Sequence, residues 1–233
     1  LGGNNTYGIY GKTIKMTGGK ISVGENSVGI FSNGEYTALG PDGVDLASGS
    51  EIEVGENESV GVFTTGKNQN ISSKATMKIG EGSYGFVIKG TGTKLTTESP
   101  EVTVGNNTVF TYSTDTTGNI INKTKLTSTG SKNYGIYGAG TITNLADINF
   151  VSGTGNVGIY SIGGGTATNG SSTEKPTIRV SGSDVENKNY GIGMAAGYTD
   201  DKGVTHQKGT VENYGTIKVE KDNGIGMYAT GSG

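Results

Sequence analysis

Few side chains in this sequence are equipped for catalysis. His206 is the only histidine and there is no cysteine, which excludes thiol nucleophiles, thiolate zinc sites and disulfides. A hydrolytic triad would have to join His206 to Asp200 or Asp201 and to a serine. Both acids share one segment with the histidine, Gly197 to His206, and no G-x-S-x-G elbow supplies a nucleophile. These residues therefore read as a solvated loop. The same aspartates could hold a loop calcium ion, but neither an EF-hand loop nor a tandem G-G-x-G-x-D repeat surrounds them, so no metal and no cofactor is expected. Gly153-Thr154-Gly155-Asn156-Val157-Gly158 matches G-x-G-x-x-G. A phosphate loop also needs a helix N-terminus behind it; none is expected here, and a chain with 44 glycines produces such matches by chance. Glu51 and Glu53 could imitate a glycosidase pair, but they flank apolar Ile52, and alternation sends both to the solvent side.

The remaining constellation is a repeated one. Thr6-Tyr7-Gly8-Ile9-Tyr10, Ser27-Val28-Gly29-Ile30-Phe31 and Ser59-Val60-Gly61-Val62-Phe63 open a series of nine similar phrases centred on residues 8, 29, 61, 85, 110, 135, 158, 191 and 226. Two positions after the centre stand Tyr10, Phe31, Phe63, Val87, Tyr112, Tyr137, Tyr160, Gly193 and Tyr228, so seven of nine are aromatic. Apolar residues lie one before and one after the centre, and period two then turns those inward and the aromatic outward. Stacked repeats would present Tyr and Phe about 4.8 Å apart, flat faces with hydroxyl tips suited to stacking on sugars or anchoring a protein. The competing reading is that the column is covered and serves as a second core, with the central glycine making room for it. Tyr137, in a run of short repeats, is expected to be the most exposed ring, and Phe31 and Tyr160, beside long insertions, the most shielded.

The elements that position these rings follow from the repeat itself. A second alternating segment, such as Lys20-Ile21-Ser22-Val23, Glu51-Ile52-Glu53-Val54 or Ile178-Arg179-Val180, lies upstream of eight phrases, and a weaker third one shows at Thr13-Ile14-Lys15-Met16, Lys94-Leu95-Thr96 and Ile120-Ile121. Two or three short strands per two dozen residues cannot bury a core alone, but stacking gives each strand neighbours above and below. Asparagines recur three residues before several centres, as at Asn5, Asn26, Asn107 and Asn223, where a left-handed backbone or a side-chain ladder between coils would suit them. Glycine at 44 of 233 residues disfavours long helices. A net charge of −3 with Arg179 as the lone arginine excludes a nucleic-acid footprint. With no long apolar run and no N-terminal leader, and beginning at Leu1, the chain reads as a piece of a longer protein.

The phrases Glu25-Asn26-Ser27-Val28-Gly29-Ile30-Phe31-Ser32 and Val211-Glu212-Asn213-Tyr214-Gly215-Thr216-Ile217-Lys218-Val219, followed by Asp222-Asn223-Gly224-Ile225-Gly226-Met227-Tyr228-Ala229, resemble the degenerate repeats of giant autotransporter passengers, most nearly fusobacterial outer-membrane adhesins of the RadD type. The resemblance implies a right-handed parallel β-helix, exported by type V secretion through a barrel outside this segment and displayed on the bacterial outer membrane. It also implies attachment to a host-cell receptor or glycan, or to the surface of another bacterium. The expectation is thus an all-β solenoid of about nine coils over residues 1–233, monomeric, non-catalytic, with loops near 32–50, 162–176 and 195–209. Candidate ligand-binding residues are Tyr10, Phe31, Phe63, Tyr112, Tyr137 and Tyr160. A passive stalk and, as a minority reading, a polysaccharide-acting enzyme remain as alternatives.

Overall fold

The structure is a computed structural model that describes residues 2–199, 202 and 204–230, with the backbone only of Thr199 and His206. All regular structure among the described residues is strand. Each turn of the chain supplies one strand to each of three parallel stacks. The first stack is a nine-stranded sheet of Tyr7–Gly11, Val28–Ser32, Val60–Thr64, Tyr84–Ile88, Val109–Ser113, Tyr134–Gly138, Val157–Ser161, Ile192–Ala196 and Ile225–Ala229. The second has eight strands, from Ile14–Met16 to Thr210–Asn213. The third is divided into three strands from Gly19–Val23 to Thr76–Ile79 and five from Val102–Val104 to Thr216–Val219. The division falls where Pro100, which has no N–H to donate, leads into the later strand. The result is a parallel β-helix of eight complete coils and the first strand of a ninth, in agreement with the repeat count.

Coil spacing makes the core a pile of similar layers. Ile136, Ile142 and Ile148 come from the three strands of one coil and are fully buried; Ile159, Ala167 and Ile178 lie on them in register from the next. Each isoleucine so placed contributes about 1.5–3 kcal/mol through removal of its side chain from water. The second stack, only faintly visible in the sequence, is continuous through all eight coils. Its inward ends carry a buried polar ladder: Thr97 Oγ1 donates to Asn122 Oδ1 (2.8 Å), Asn122 Nδ2 to Asn144 Oδ1 (2.7 Å), Asn144 Nδ2 to Asn169 Oδ1 (2.8 Å) and Asn169 Nδ2 to Asn213 Oδ1 (2.9 Å). A second ladder stands two residues before the repeat centres, where backbone N–H groups donate from Thr6 to Ser27 Oγ, Thr108 to Asn133 Oδ1 and Asn133 to Asn156 Oδ1. The asparagines three before the centre instead supply left-handed backbone, with φ of 54° at Asn5, 50° at Asn26 and 53° at Asn107.

Strict alternation fails at the repeat centre. The burial sequence along Val28–Ser32, Val109–Ser113 and Tyr134–Gly138 is outward, inward, inward, outward, inward. The residue before the centre therefore shares the outer face with the aromatic, contrary to the expectation that it faces the core. The central glycine explains this. A Cβ on Gly29 would point inward, 2.8 Å from the Gly61 carbonyl oxygen and 3.2 Å from Ile52 Cγ2, so only a residue without one lets two consecutive positions turn into the core. Phe110 is the exception. Its ring is fully buried against Phe86 (centroids 5.5 Å apart, edge to face), and Thr111 stands beside it where other coils carry isoleucine, valine, phenylalanine or methionine.

The eighth phrase is framed two residues later than its local sequence implies. Val157 pairs with Ile192, Ile159 with Met194 and Tyr160 with Ala195, so Gly193 is the centre and Ala195 the outward residue. Asn189-Tyr190-Gly191 mimics the repeat but closes an excursion in which Asp184 and Asn189 exchange backbone hydrogen bonds. The three long insertions are also smaller than their sequence spans. Segment 32–50 contains the strand Gly43–Leu46 and segment 162–176 contains Thr166–Asn169, while in 195–209 Tyr198–Thr199 and Thr205–Gln207 pair as an antiparallel hairpin.

Candidate functional site

Outward residues of the first sheet build an aromatic flank, interrupted at Val87 and Ala195. Tyr10 lies parallel to Phe31 (centroids 5.1 Å apart, planes within 3°), and Phe31 meets Phe63 at 5.3 Å. After Val87 the column resumes. Tyr112 stacks on Tyr137 at 5.6 Å and 12°, and Tyr137 meets Tyr160 edge-on at 5.2 Å. The kink at the repeat centre adds a second file to the same face: Tyr7, Tyr84 and Tyr134 touch Tyr10, Tyr112 and Tyr137 edge-on. Period-two reasoning missed this file, although a tyrosine just before Gly8, Gly85 and Gly135 was its visible sign.

The rings are neither free-standing nor covered. Each packs on its neighbours with one edge in solvent, and Phe31, Phe63, Tyr112, Tyr137 and Tyr160 are all half-buried. Tyr137 is not the most exposed ring: Tyr10 is 64% exposed and Tyr228 42%, because each lies at an end of the column, whereas Tyr137 is flanked by Tyr112, Tyr134 and Tyr160. Tyr160 is shielded as its neighbouring insertion suggests, and its hydroxyl donates to the Gly197 carbonyl at 3.0 Å. Phe31 is half-buried among the rings of Tyr7, Tyr10 and Phe63. Burial pushes the phenols of Tyr84, Tyr134, Tyr137 and Tyr160 up from their ordinary range, so they stay neutral and able to donate. Two hollows open on this face. One of about 310 Å³ is lined by Glu58, Val60, Phe63, Tyr84, Val87, Lys89 and Tyr112. The other, of about 230 Å³, lies between Lys132, Tyr134, Tyr160 and Tyr190.

Of the catalytic candidates, Glu51, Glu53 and the Gly153 to Gly158 phrase are among the described residues. Asp200 and Asp201 lie outside the described residues, as does the side chain of His206, whose backbone is on the hairpin strand Thr205–Gln207. Gly153 to Gly158 leads into the strand Val157–Ser161 rather than a helix. Gly153 and Gly155 take left-handed φ of 67° and 69°, and a Cβ on Gly153 would meet Ser131 Oγ and the Gly130 carbonyl, which accounts for both by coil stacking. Glu51 and Glu53 face solvent as expected. Lys20 Nζ bridges them at 3.1 and 2.6 Å, and Lys78 approaches from the opposite side. Hydrogen bonding to Lys20 holds both carboxyls below their ordinary range, so neither is kept protonated as a general acid must be. Among the described residues, no three His, Asp or Glu side chains converge to hold a metal.

Residues 11–233 match a family model described as BigA third pectate lyase-like domain. The chain belongs to this family. No curated protein and no solved structure matches it. Membership agrees with the parallel β-helix and makes the chain a β-helical domain of the BigA-type surface-protein class. The words pectate lyase-like in the BigA-domain description concern a fold that also hosts enzymes, and chemistry has to be read from side chains.

Proposed function

We propose that this domain is a non-catalytic, adhesive segment of a bacterial autotransporter passenger, displayed at the outer membrane and held there by a barrel outside the segment. Its aromatic flank, with Tyr10, Phe31, Phe63, Tyr112, Tyr137 and Tyr160, makes the contact, and it acts as a single chain. The partner is a host-cell receptor or glycan, or the surface of another bacterium. The observation that carries this reading is the contrast between faces of the coil. The outward column of the third stack holds Ser22, Glu53, Lys78, Thr103, Thr127, Asn149, Arg179 and Lys218, a mixed solvated surface, whereas the first sheet keeps rings in seven of nine coils. Rings with exposed edges and neutral hydroxyl donors are what surfaces use to anchor a partner. A non-catalytic role is supported by the pairing of Glu51 and Glu53 with lysines and of Arg179 with Glu220 at 2.7 Å.

A passive stalk is the second reading, favoured by the packing of the rings on one another, which would stiffen a spacer. Beads coated with the purified domain separate the two. Adhesion to epithelial cells or to other bacteria above the level of beads coated with an unrelated β-helix supports recognition, and equal adhesion supports the stalk. Turnover of a polysaccharide panel by the same preparation would overturn the non-catalytic reading.

A further inference from the structure

The aromatic column contains two residues without rings, and the two positions differ. At Ala195 the space is taken: Tyr160 reaches across to the Gly197 carbonyl, and the hairpin Tyr198–Thr199 with Thr205–Gln207 leaves the coil beside it. At Val87, itself only 5% exposed, a hollow remains above the valine between the flanking rings. Val87 pairs in the ladder with Phe63 on one side and Tyr112 on the other, so the strands that carry these two rings lie two spacings apart, about 9.6 Å. Neighbouring rings elsewhere in the column sit 5.1 to 5.6 Å apart. At two strand spacings a flat ring midway between Phe63 and Tyr112 would lie about 4.8 Å from each, close to but slightly inside the separation of neighbouring rings in the column. Val60 and Val87 form an apolar floor beneath it, and the hollow measures about 310 Å³, at the small end of ligand sites.

We propose that this vacancy seats one neutral pyranose ring of a glycan, its two C–H faces against Phe63 and Tyr112. The proposal names the ligand class of the recognition face proposed above and rests on that reading. The rim selects the occupant. Tyr84 stands edge-on to Tyr112 at 6.1 Å, Lys89 Nζ lies 5.8 Å from the centre of the Phe63 ring, and Glu58 lines the same hollow with its side chain exposed. Burial, then the charge of Glu58, raises the Tyr84 phenol, leaving a neutral hydroxyl there. The seat thus offers a phenol, an ammonium and a carboxylate around two apolar ring walls. A pyranose matches both features, because its hydroxyls radiate in the ring plane while its faces are C–H. An aromatic side chain would fill the walls but leave three polar groups unmatched.

Saturation-transfer NMR on the purified domain tests the seat, with methyl glycosides of glucose, galactose, mannose and N-acetylglucosamine as sugar probes and p-cresol as the aromatic one. Transfer to the ring protons of at least one pyranoside is expected. Val87→Tyr adds the missing ring and should weaken that binding at least about tenfold with an equal or higher melting temperature. Phe63→Val, which removes one wall, should weaken it too and serves if the first variant folds poorly. Absence of transfer to every pyranoside, preference for p-cresol, or undiminished sugar binding by folded Val87→Tyr overturns the proposal. If Val87→Tyr beads lose no adhesion while wild-type beads adhere, the seat is overturned and the flank reading stands.

Discussion

Replacing Gly158 with alanine isolates the feature that turns two consecutive residues of each first-sheet strand into the core. The new Cβ would sit 2.6 Å from the carbonyl oxygen of Gly193 and 2.7 Å from Ile178 Cγ2. The isoleucine can change rotamer, but the carbonyl belongs to a ladder strand fixed by its own hydrogen bonds, so the two coils must separate locally. Overpacking of this kind costs about 1–3 kcal/mol, and a backbone obstacle places Gly158→Ala at the upper end. Gly226, at the centre of the last described strand, is the internal control, since its Cβ would meet nothing nearer than Ile217 Cγ2 at 3.9 Å. Gly226→Ala should be neutral or stabilising by about 0.4–1 kcal/mol through the unfolded chain. Urea denaturation followed by far-UV circular dichroism reads the difference, provided the slopes agree. Equal midpoints for the two variants would refute the inward orientation of the central residue.

Asn144→Ala removes the middle of the buried amide ladder and leaves Asn169 Oδ1 without the donor it has at 2.8 Å; a loss of about 1–3 kcal/mol is expected in the same urea assay, and an unchanged midpoint would contradict the ladder's contribution. The Lys20, Glu51, Glu53 and Lys78 cluster sets a pH window. Its carboxyls titrate below their unfolded range, so their stabilisation is present above that range and is lost as pH falls through the lowered folded values. Lys20 titrates above its unfolded value, so its share persists until the alkaline range and is lost there. Melting temperatures of wild type and Lys20→Met should differ at neutral pH, converge in acid and draw together in high salt, and a pH-independent difference would contradict the pairing.

The coils were legible because Ile9, Ile30, Ile136 and Ile159 return with a fixed polar and glycine context, and a stack is the only way for such short strands to share a core. The second stack was harder to see, because one coil there uses Ile142 and the next Ala167, and because its inward ends are Asn122, Asn144 and Asn169, which read as loop residues. Their amides satisfy one another only across coils, a relation with no signature inside one repeat. Register at the eighth phrase was misread because Asn189-Tyr190-Gly191-Ile192 copies the motif two residues early, and only ladder partners tell copy from centre. The flank itself was legible as a period, but its exposure was not. Whether Tyr137 stands free depends on Tyr134 of its own strand and on Tyr112 and Tyr160, which reach it from the coils on either side.

Adhesion of the double variant Tyr112→Val, Tyr137→Val tests the recognition flank most directly. Valine already occupies this column at Val87, so the substitutions keep a side chain the strand accommodates, and the lost ring contacts should cost about 0.5–1.5 kcal/mol each. Beads bearing the folded double variant, its circular dichroism matching wild type, are predicted to adhere to cells or partner bacteria no better than beads coated with an unrelated β-helix. Undiminished adhesion by that folded variant would contradict the account and move recognition off the aromatic flank.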